Sequence, residues 1–131
     1  MSRERMPETR RSVTHKAVIH AESGKVKFFL TVGLYADGRP GEIFVGCDES
    51  GSTLDGFADA WAMAVSLCLQ AGVSLETLVD KFGFLQFEPR GMTECEAVRS
   101  ARSMVDYAVR WMASEFGAHS HTLASVKEEK K

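Results

Sequence analysis

Residues 26–47 read VKFFLTVGLYADGRPGEIFVGC, and this stretch decides the fold class. Its first part alternates apolar side chains with the others at a period of two, which is typical of a β-strand with one buried face. The alternating residues are Val26, Phe28, Leu30, Val32 and Leu34. An Asp37-Gly38 turn leads to a second alternating run over 42–47, so the stretch predicts an antiparallel hairpin.

The neighbouring segments extend this hairpin to a complete domain. Upstream, residues 13–21 alternate in the same way, and a turn over 22–25 connects them to the hairpin. Downstream, the apolar period changes to 3.6 and predicts helices over 54–71, 75–82 and 97–116. Thr93 and Glu96 form the pattern of a capping box for the last helix. The class predicted is α+β, a three-stranded antiparallel meander followed by three helices packed on one face.

The helix predicted over 54–71 is apolar almost all round. Its polar residues Asp55, Asp59, Ser66 and Gln70 fall on one narrow stripe. A helix with so little polar surface is expected to be buried on most sides. We therefore expect it to lie centrally across the sheet with a partner subunit on its other flank, and we expect a homo-oligomer.

Length and composition limit the class of protein. The chain has 131 residues, 44% of them hydrophobic, which indicates one globular domain. We divide it into a basic arm over 1–12, a domain over 13–117 and a flexible tail over 118–131. The net charge of −2 makes a nucleic-acid binder unlikely as a class but leaves room for a local basic patch.

Signals for export, membrane insertion or metal binding are weak or missing in the sequence. The charged N-terminal stretch resembles no secretory signal, and no apolar run is long enough to span a bilayer. Three cysteines without a C-x-x-C spacing favour reduced thiols over a disulfide framework or a zinc site. We expect a cytoplasmic protein without membrane association.

Two sequence features offer candidate ligand sites. Gly51-Ser52-Thr53 precedes the buried helix, where free N–H groups and hydroxyls suit a phosphate, although a plain N-cap explains the same residues. An acidic cluster offers oxygen ligands to a divalent cation but matches no known loop spacing, and we expect no metal. The cluster consists of Asp48, Glu49, Asp55 and Asp59. The positions of serine, histidine, cysteine and aspartate suggest no catalytic grouping.

Several linked blocks of the sequence resemble a known family. They are RERMPETRRSVTHK at 3–16, LTVGLYADGRPGEIFV at 30–45, GSTL at 51–54, AVSL at 64–67, VDKF at 79–82, FEPRGM at 87–92 and VDY at 105–107. Together they resemble the TSCPD domain, the C-terminal accessory domain of adenosylcobalamin-dependent (class II) ribonucleotide reductases. The resemblance extends over about residues 3–117, in the family's order of blocks.

The resemblance implies a role in DNA precursor metabolism. Family enzymes hold the cobalamin, the radical cysteine and the substrate in a large upstream barrel, so we expect no catalytic residue and no cofactor in this chain. We expect an accessory domain that works with a reductase large subunit by protein or nucleotide binding and is not an enzyme by itself. The alternative is an independent small protein that binds a nucleotide or another phosphorylated ligand. Its pocket would use the polar, glycine and basic residues of the matching blocks, namely Thr14, His15, Lys16, Gly51, Ser52, Thr53 and Arg90.

Overall fold

The computed structural model describes residues 2–47 and 53–120. Its elements are β1 (Ser12–Ala21), β2 (Gly24–Leu34), β3 (Pro40–Cys47), α1 (Thr53–Gln70), α2 (Leu75–Phe82), β4 (Gly91–Cys95), β5 (Val98–Ala101) and α3 (Met104–Ser120). The meander of β1 to β3 is as predicted, and three helices follow it, although the last begins later than predicted. Ser74 caps α2 by accepting a hydrogen bond from the N–H of Thr77, also as predicted.

The sheet has five strands, not the three predicted. Its order is β3-β2-β1-β4-β5, and every neighbouring pair is antiparallel. The additional hairpin β4–β5 joins the free edge of β1, where Ile19 lies opposite Thr93 and His20 opposite Met92. The described chain is therefore an α+β fold in which a late hairpin completes an early meander.

The prediction of a helix start at Thr93 was wrong. Thr93 lies inside β4, where its hydroxyl accepts the N–H of Cys95 at 3.1 Å and donates to the carbonyl of Val98. These contacts close the turn at 96–97 instead of capping a helix. The true cap of α3 is Ser103, whose Oγ accepts the N–H of Asp106 at 3.0 Å. A Thr-x-x-Glu pattern suits a short hairpin as well as a helix start, because in both the threonine oxygen accepts a nearby backbone N–H.

The core lies between one face of the sheet and the helices. Phe28, Leu30 and Val32 of β2 are fully buried there, and Tyr107 of α3 meets Phe28 edge to face with centroids 5.5 Å apart. Full burial of each large apolar side chain contributes about 1.5–3 kcal/mol, so this layer is the main source of stability. The opposite face of the sheet is not covered by any helix of the described residues, and Phe29 and Phe44 are exposed on it.

Helix α1 does not lie centrally, as its composition suggested. It packs against the edge strand β3, while α3 supplies the larger set of buried residues. Ser66 accepts the N–H of Ile43 at 2.8 Å, and the buried Gln70 donates to the carbonyl of Gly41 at 3.0 Å. The polar stripe of α1 thus turns partly toward the sheet. Its apolar side faces outward instead, with Phe57, Met63 and Leu67 exposed.

Residues 2–11 contain no helix or strand but are bonded to the domain. The N–H of Glu4 donates to the carbonyl of Gln70 at 2.8 Å, and Tyr35 donates its hydroxyl proton to the carbonyl of Glu4. Arg10 forms a bidentate ion pair with the buried Glu42, at 2.6 and 3.1 Å. The segment therefore lies along the β3 edge, and two of its basic residues, Arg3 and Arg10, bind groups of the domain.

Candidate functional site

The structure distributes the predicted ligand residues over two sides of the sheet. Thr14 and Lys16 lie on the face of the sheet that no described helix covers, which we call the open face. There the Thr14 hydroxyl is 3.1 Å from that of Thr31. His15 points to the helix-covered side and bonds Tyr107. Thr53 begins α1, also on the helix side.

The other predicted ligand residues add little to a common pocket. Arg90 is exposed and pairs with Glu88 at 3.0 Å. Gly51 and Ser52, like Asp48 and Glu49, lie outside the described residues. The described residues therefore do not bring Thr14 and Lys16 together with His15 and Thr53 in one pocket.

An apolar groove lies beside the N-terminal half of α1. It has a volume of about 570 Å³ and is bounded by α1, α2, the segment after α2 and the start of α3. The described residues of its lining include no charged side chain and are Thr53, Leu54, Phe57, Trp61, Phe82, Leu85, Phe87 and Val105. Among them, Trp61 packs edge to face on Phe82, with centroids 5.7 Å apart. Phe57 at the rim is 73% exposed, which is unusual for a phenylalanine.

The Trp61 side chain has an unsatisfied polar atom. Its Nε1 is buried and has no hydrogen-bond acceptor among the described residues. A buried N–H without a partner costs free energy, so such a group often marks a place where something else binds. The groove can therefore take an apolar side chain, and the indole N–H of Trp61 lies buried behind its lining.

Polar contacts hold the groove's outer wall in place. Asp106, fully buried in α3, accepts the N–H of Phe84 at 2.6 Å and that of Arg102 at 2.9 Å. Arg110 completes the group by donating to the same carboxylate at 3.0 Å, and its guanidinium lies over the Phe84 ring. The hydroxyl of Ser103 donates to the carbonyl of Leu85 at 2.6 Å. With its backbone fixed in this way, the segment over 84–87 presents Leu85 and Phe87 to the groove without rearrangement.

A second polar group ties β1 to α3. Nε2 of His15 lies 2.8 Å from the hydroxyl of Tyr107, and the imidazole stacks on Trp111 with centroids 4.8 Å apart. Burial lowers the pKa of His15, against a smaller opposite effect of Glu115. Burial also raises the pKa of Tyr107, and the neighbouring Cys95 adds to this shift. Both shifts favour the neutral forms, so the hydrogen bond joins the neutral imidazole of His15 and the neutral hydroxyl of Tyr107.

Metal ligation has no support in the described ranges. Within residues 2–47 and 53–120, no group of three or more histidine, cysteine, aspartate or glutamate side chains is placed to hold a metal ion. In the same ranges no helix is long and apolar enough to cross a bilayer.

Sequence reasoning missed the groove, although one signal for it was present. The run FGFLQF over 82–87 is rich in aromatic residues, yet only Phe82 belongs to α2, and the rest lies in the connection to β4, which has no helix or strand. Apolar residues in such a connection must either join the core or face solvent. Here Phe82 does the first, and Leu85 and Phe87 do the second.

The comparisons with known proteins agree on one family. The chain is 46% identical over 114 residues to the vitamin B12-dependent ribonucleotide reductase of Rhodopirellula baltica, covering 87% of this chain and 11% of that protein. For the Streptomyces avermitilis protein of the same description the identity is 42% over 114 residues, covering 87% of this chain and 11% of that protein. For the Agrobacterium fabrum protein it is 40% over 125 residues, covering 95% of this chain and 9% of that protein.

The chain thus spans about a tenth of the length of these relatives. No solved structure matches it significantly. The family model described as the TSCPD domain matches residues 2–116, and the chain therefore belongs to the TSCPD domain family.

Proposed function

We propose that this chain is an accessory domain of ribonucleotide reductase that acts through protein contacts and does not catalyse by itself. The observation that carries the proposal is the apolar groove on a domain whose relatives contain it as a small part of a reductase chain. Cobalamin and radical chemistry would belong to the reductase partner. The chain would supply a docking surface.

The lining of the groove favours a protein partner over a polar metabolite. Phe57, Leu85 and Phe87 are exposed at 73%, 44% and 43%, so a partner would remove much apolar surface from water. Such burial contributes about 25 cal/mol per Å². Aromatic anchors in a preformed groove are the usual centre of protein interfaces. A phosphorylated ligand finds no cation in this lining.

Binding to a truncated reductase tests the proposal. The partner is the vitamin B12-dependent ribonucleotide reductase of Rhodopirellula baltica, cut ahead of the region that matches this chain. We expect a complex by calorimetry. Phe57→Ser and Leu85→Ser should each weaken it by roughly tenfold or more, because each removes an apolar contact at the groove.

Phe44→Ser is the matched control, since Phe44 is a comparably exposed phenylalanine on the far side of the sheet. It should leave the affinity for the reductase unchanged. Absence of any complex, or equal loss in all three variants, would reject docking through the groove.

The alternative, a nucleotide- or phosphate-binding protein, stays a prediction. Among its predicted residues, Thr14 and Lys16 are close neighbours on the open face. Calorimetry with nucleoside di- and triphosphates would test it. We expect Lys16→Ala to weaken any binding that occurs, and an unchanged response in this variant would exclude the predicted pocket.

A further inference from the structure

The open face of the sheet carries two exposed aromatic rings on adjacent strands. We define it by its outward-facing residues Thr14, Lys16, Lys25, Lys27, Phe29, Thr31, Phe44 and Gly46. Phe29 is 40% exposed and Phe44 55% exposed. Both lie in the middle of long strands, where an exposed phenylalanine contributes little to folding. Their exposure points to contact with another molecule.

The register places the two rings side by side. Phe29 of β2 lies opposite Gly46 of β3, and Thr31 lies opposite Phe44. The phenylalanines are therefore diagonal neighbours, about 5–8 Å apart at their Cβ atoms. Gly46 has no side chain, and nothing lies within 4 Å of the position that a Cβ would take there. The space beside the Phe29 ring is thus open along β3.

Basic side chains surround the rings. Lys16 lies directly opposite Phe29 on β1, and Lys25 and Lys27 follow on the same side of β2. Among the described residues of this face, Arg10 is paired with Glu42, and Glu94 is paired with His20. Lys16 and Lys25 add positive charge to these two pairs, although the whole chain carries a net charge of −2. Two copies of this face would repel each other, so its charge suits an anionic partner.

We propose that the open face binds single-stranded nucleic acid, with bases stacked on Phe29 and Phe44 and phosphates held by Lys16 and its basic neighbours. Base stacking on aromatic rings combined with a basic track is the usual basis of sequence-tolerant single-strand binding. Thr31 of β2 lies opposite Phe44, and Thr14 of β1 lies opposite Thr31, so their hydroxyls are in the same row as the Phe44 ring and can contact the sugar-phosphate chain.

The shape of the face favours a strand over a free nucleotide. Small ligands bind in concave sites that bury most of their surface, whereas this face is the surface of a sheet with two exposed rings on adjacent strands. One base on one ring gains little affinity, while a strand adds several stacking and phosphate contacts. The proposal goes beyond the docking of a reductase and uses none of the groove residues.

Fluorescence anisotropy with a labelled oligothymidylate of about 12 nucleotides tests the proposal. We expect binding by the full chain at low salt that weakens as salt rises, because cations are released from the phosphates. Phe29→Leu and Phe44→Leu keep apolar bulk but remove the ring, and each should weaken binding by roughly tenfold. Phe44→Trp should preserve binding, which separates loss of stacking from loss of folding.

Phe57→Leu is the control, since it removes an exposed ring from the groove instead of the open face. It should bind the oligonucleotide as the wild type does. The proposal fails if no binding occurs at low salt, if the two leucine variants bind like the wild type, or if thymidine monophosphate competes as well as the strand. Equal affinity for a duplex of the same length would also overturn it.

Discussion

At the scale of the residue, His15 is the group whose environment most clearly shapes its chemistry. It lies half-buried between Tyr107 and Trp111, and this burial lowers its pKa below the ordinary value of 6.5. Protonation would place a positive charge on an imidazole that is partly removed from water. Between the lowered pKa and 6.5, the unfolded chain therefore binds more protons at this position than the folded chain does.

His15 should make the protein less stable in acid. Because the pKa of His15 is lower in the folded state, its contribution to stability is fully present above about pH 6.5 and is lost as the pH falls from there toward the folded pKa. His15→Gln lacks this titration. We expect the wild type to exceed the variant in unfolding free energy at about pH 7.5, with the gap shrinking toward pH 5.5. Urea unfolding at a series of pH values measures it.

His20→Gln changes the chain's other described strand histidine, which lies on the opposite face and pairs with the exposed Glu94. The unfolding free energy of His20→Gln over the same pH range shows how much of any pH effect is not specific to His15. A gap between the wild type and His15→Gln that stays constant or widens in acid would contradict the burial of a neutral imidazole.

Residue-scale prediction worked where strand alternation applied and failed where distant segments meet. The period of two placed Lys16 and His15 on opposite faces, as the structure shows, and this parity already argued against using both in one pocket. The His15–Tyr107 contact joins residues 92 positions apart. No local pattern reports such a contact, because it arises when α3 packs on the sheet.

At the scale of the element, the hairpin β4–β5 shows why local patterns were insufficient. Val98 and Ala101 are three residues apart and buried, which matches a helical face, yet they lie in a short strand. The hairpin is stabilised by pairing with the β1 edge, which only the folded sheet provides. The bounds of long elements with sustained periodicity, such as β2 and α1, were predicted closely because their signal is internal.

The pairing of the N-terminal segment with β3 gives a prediction at this scale. Gly33 lies opposite Glu42, and a Cβ at this position would collide with the Glu42 carboxylate. Gly33→Ala should displace that carboxylate and break its pair with Arg10. We expect a loss of about 1–3 kcal/mol in unfolding free energy, the cost of leaving a largely buried charged group without its partner.

A double-mutant cycle separates the ion pair from other effects of the alanine. In a Glu42→Ala background the added methyl group has no carboxylate to displace, so Gly33→Ala should cost much less there. Denaturant unfolding of the four proteins gives the coupling. Equal costs in the two backgrounds would show that the Gly33 position, not the Arg10–Glu42 pair, determines the loss.

At the scale of the whole molecule, the apolar surfaces lie on two opposite sides. One is the outward side of α1 with the adjoining groove, and the other is the open face of the sheet. The sequence predicted that α1 is buried on most sides. Instead, Ser66 and Gln70 of its polar stripe form hydrogen bonds to β3, because buried strand-edge polar groups need partners, and apolar residues of α1 are left exposed.

This exposure gives the prediction of a homo-oligomer a physical basis. Met63 and Leu67 are 68% and 49% exposed on the outward side of α1, next to Phe57 of the groove rim. A second copy that covers this stripe would remove their apolar surface from water. We expect an assembly larger than a monomer by light scattering at micromolar concentration. The double variant Met63→Glu, Leu67→Glu should give a monomer, because association would bury unpaired carboxylates.

The control variant Phe44→Glu places a carboxylate on the open face instead and should leave the assembly intact. A monomeric wild type, or dissociation by Phe44→Glu alone, would show that α1 does not form the contact between copies.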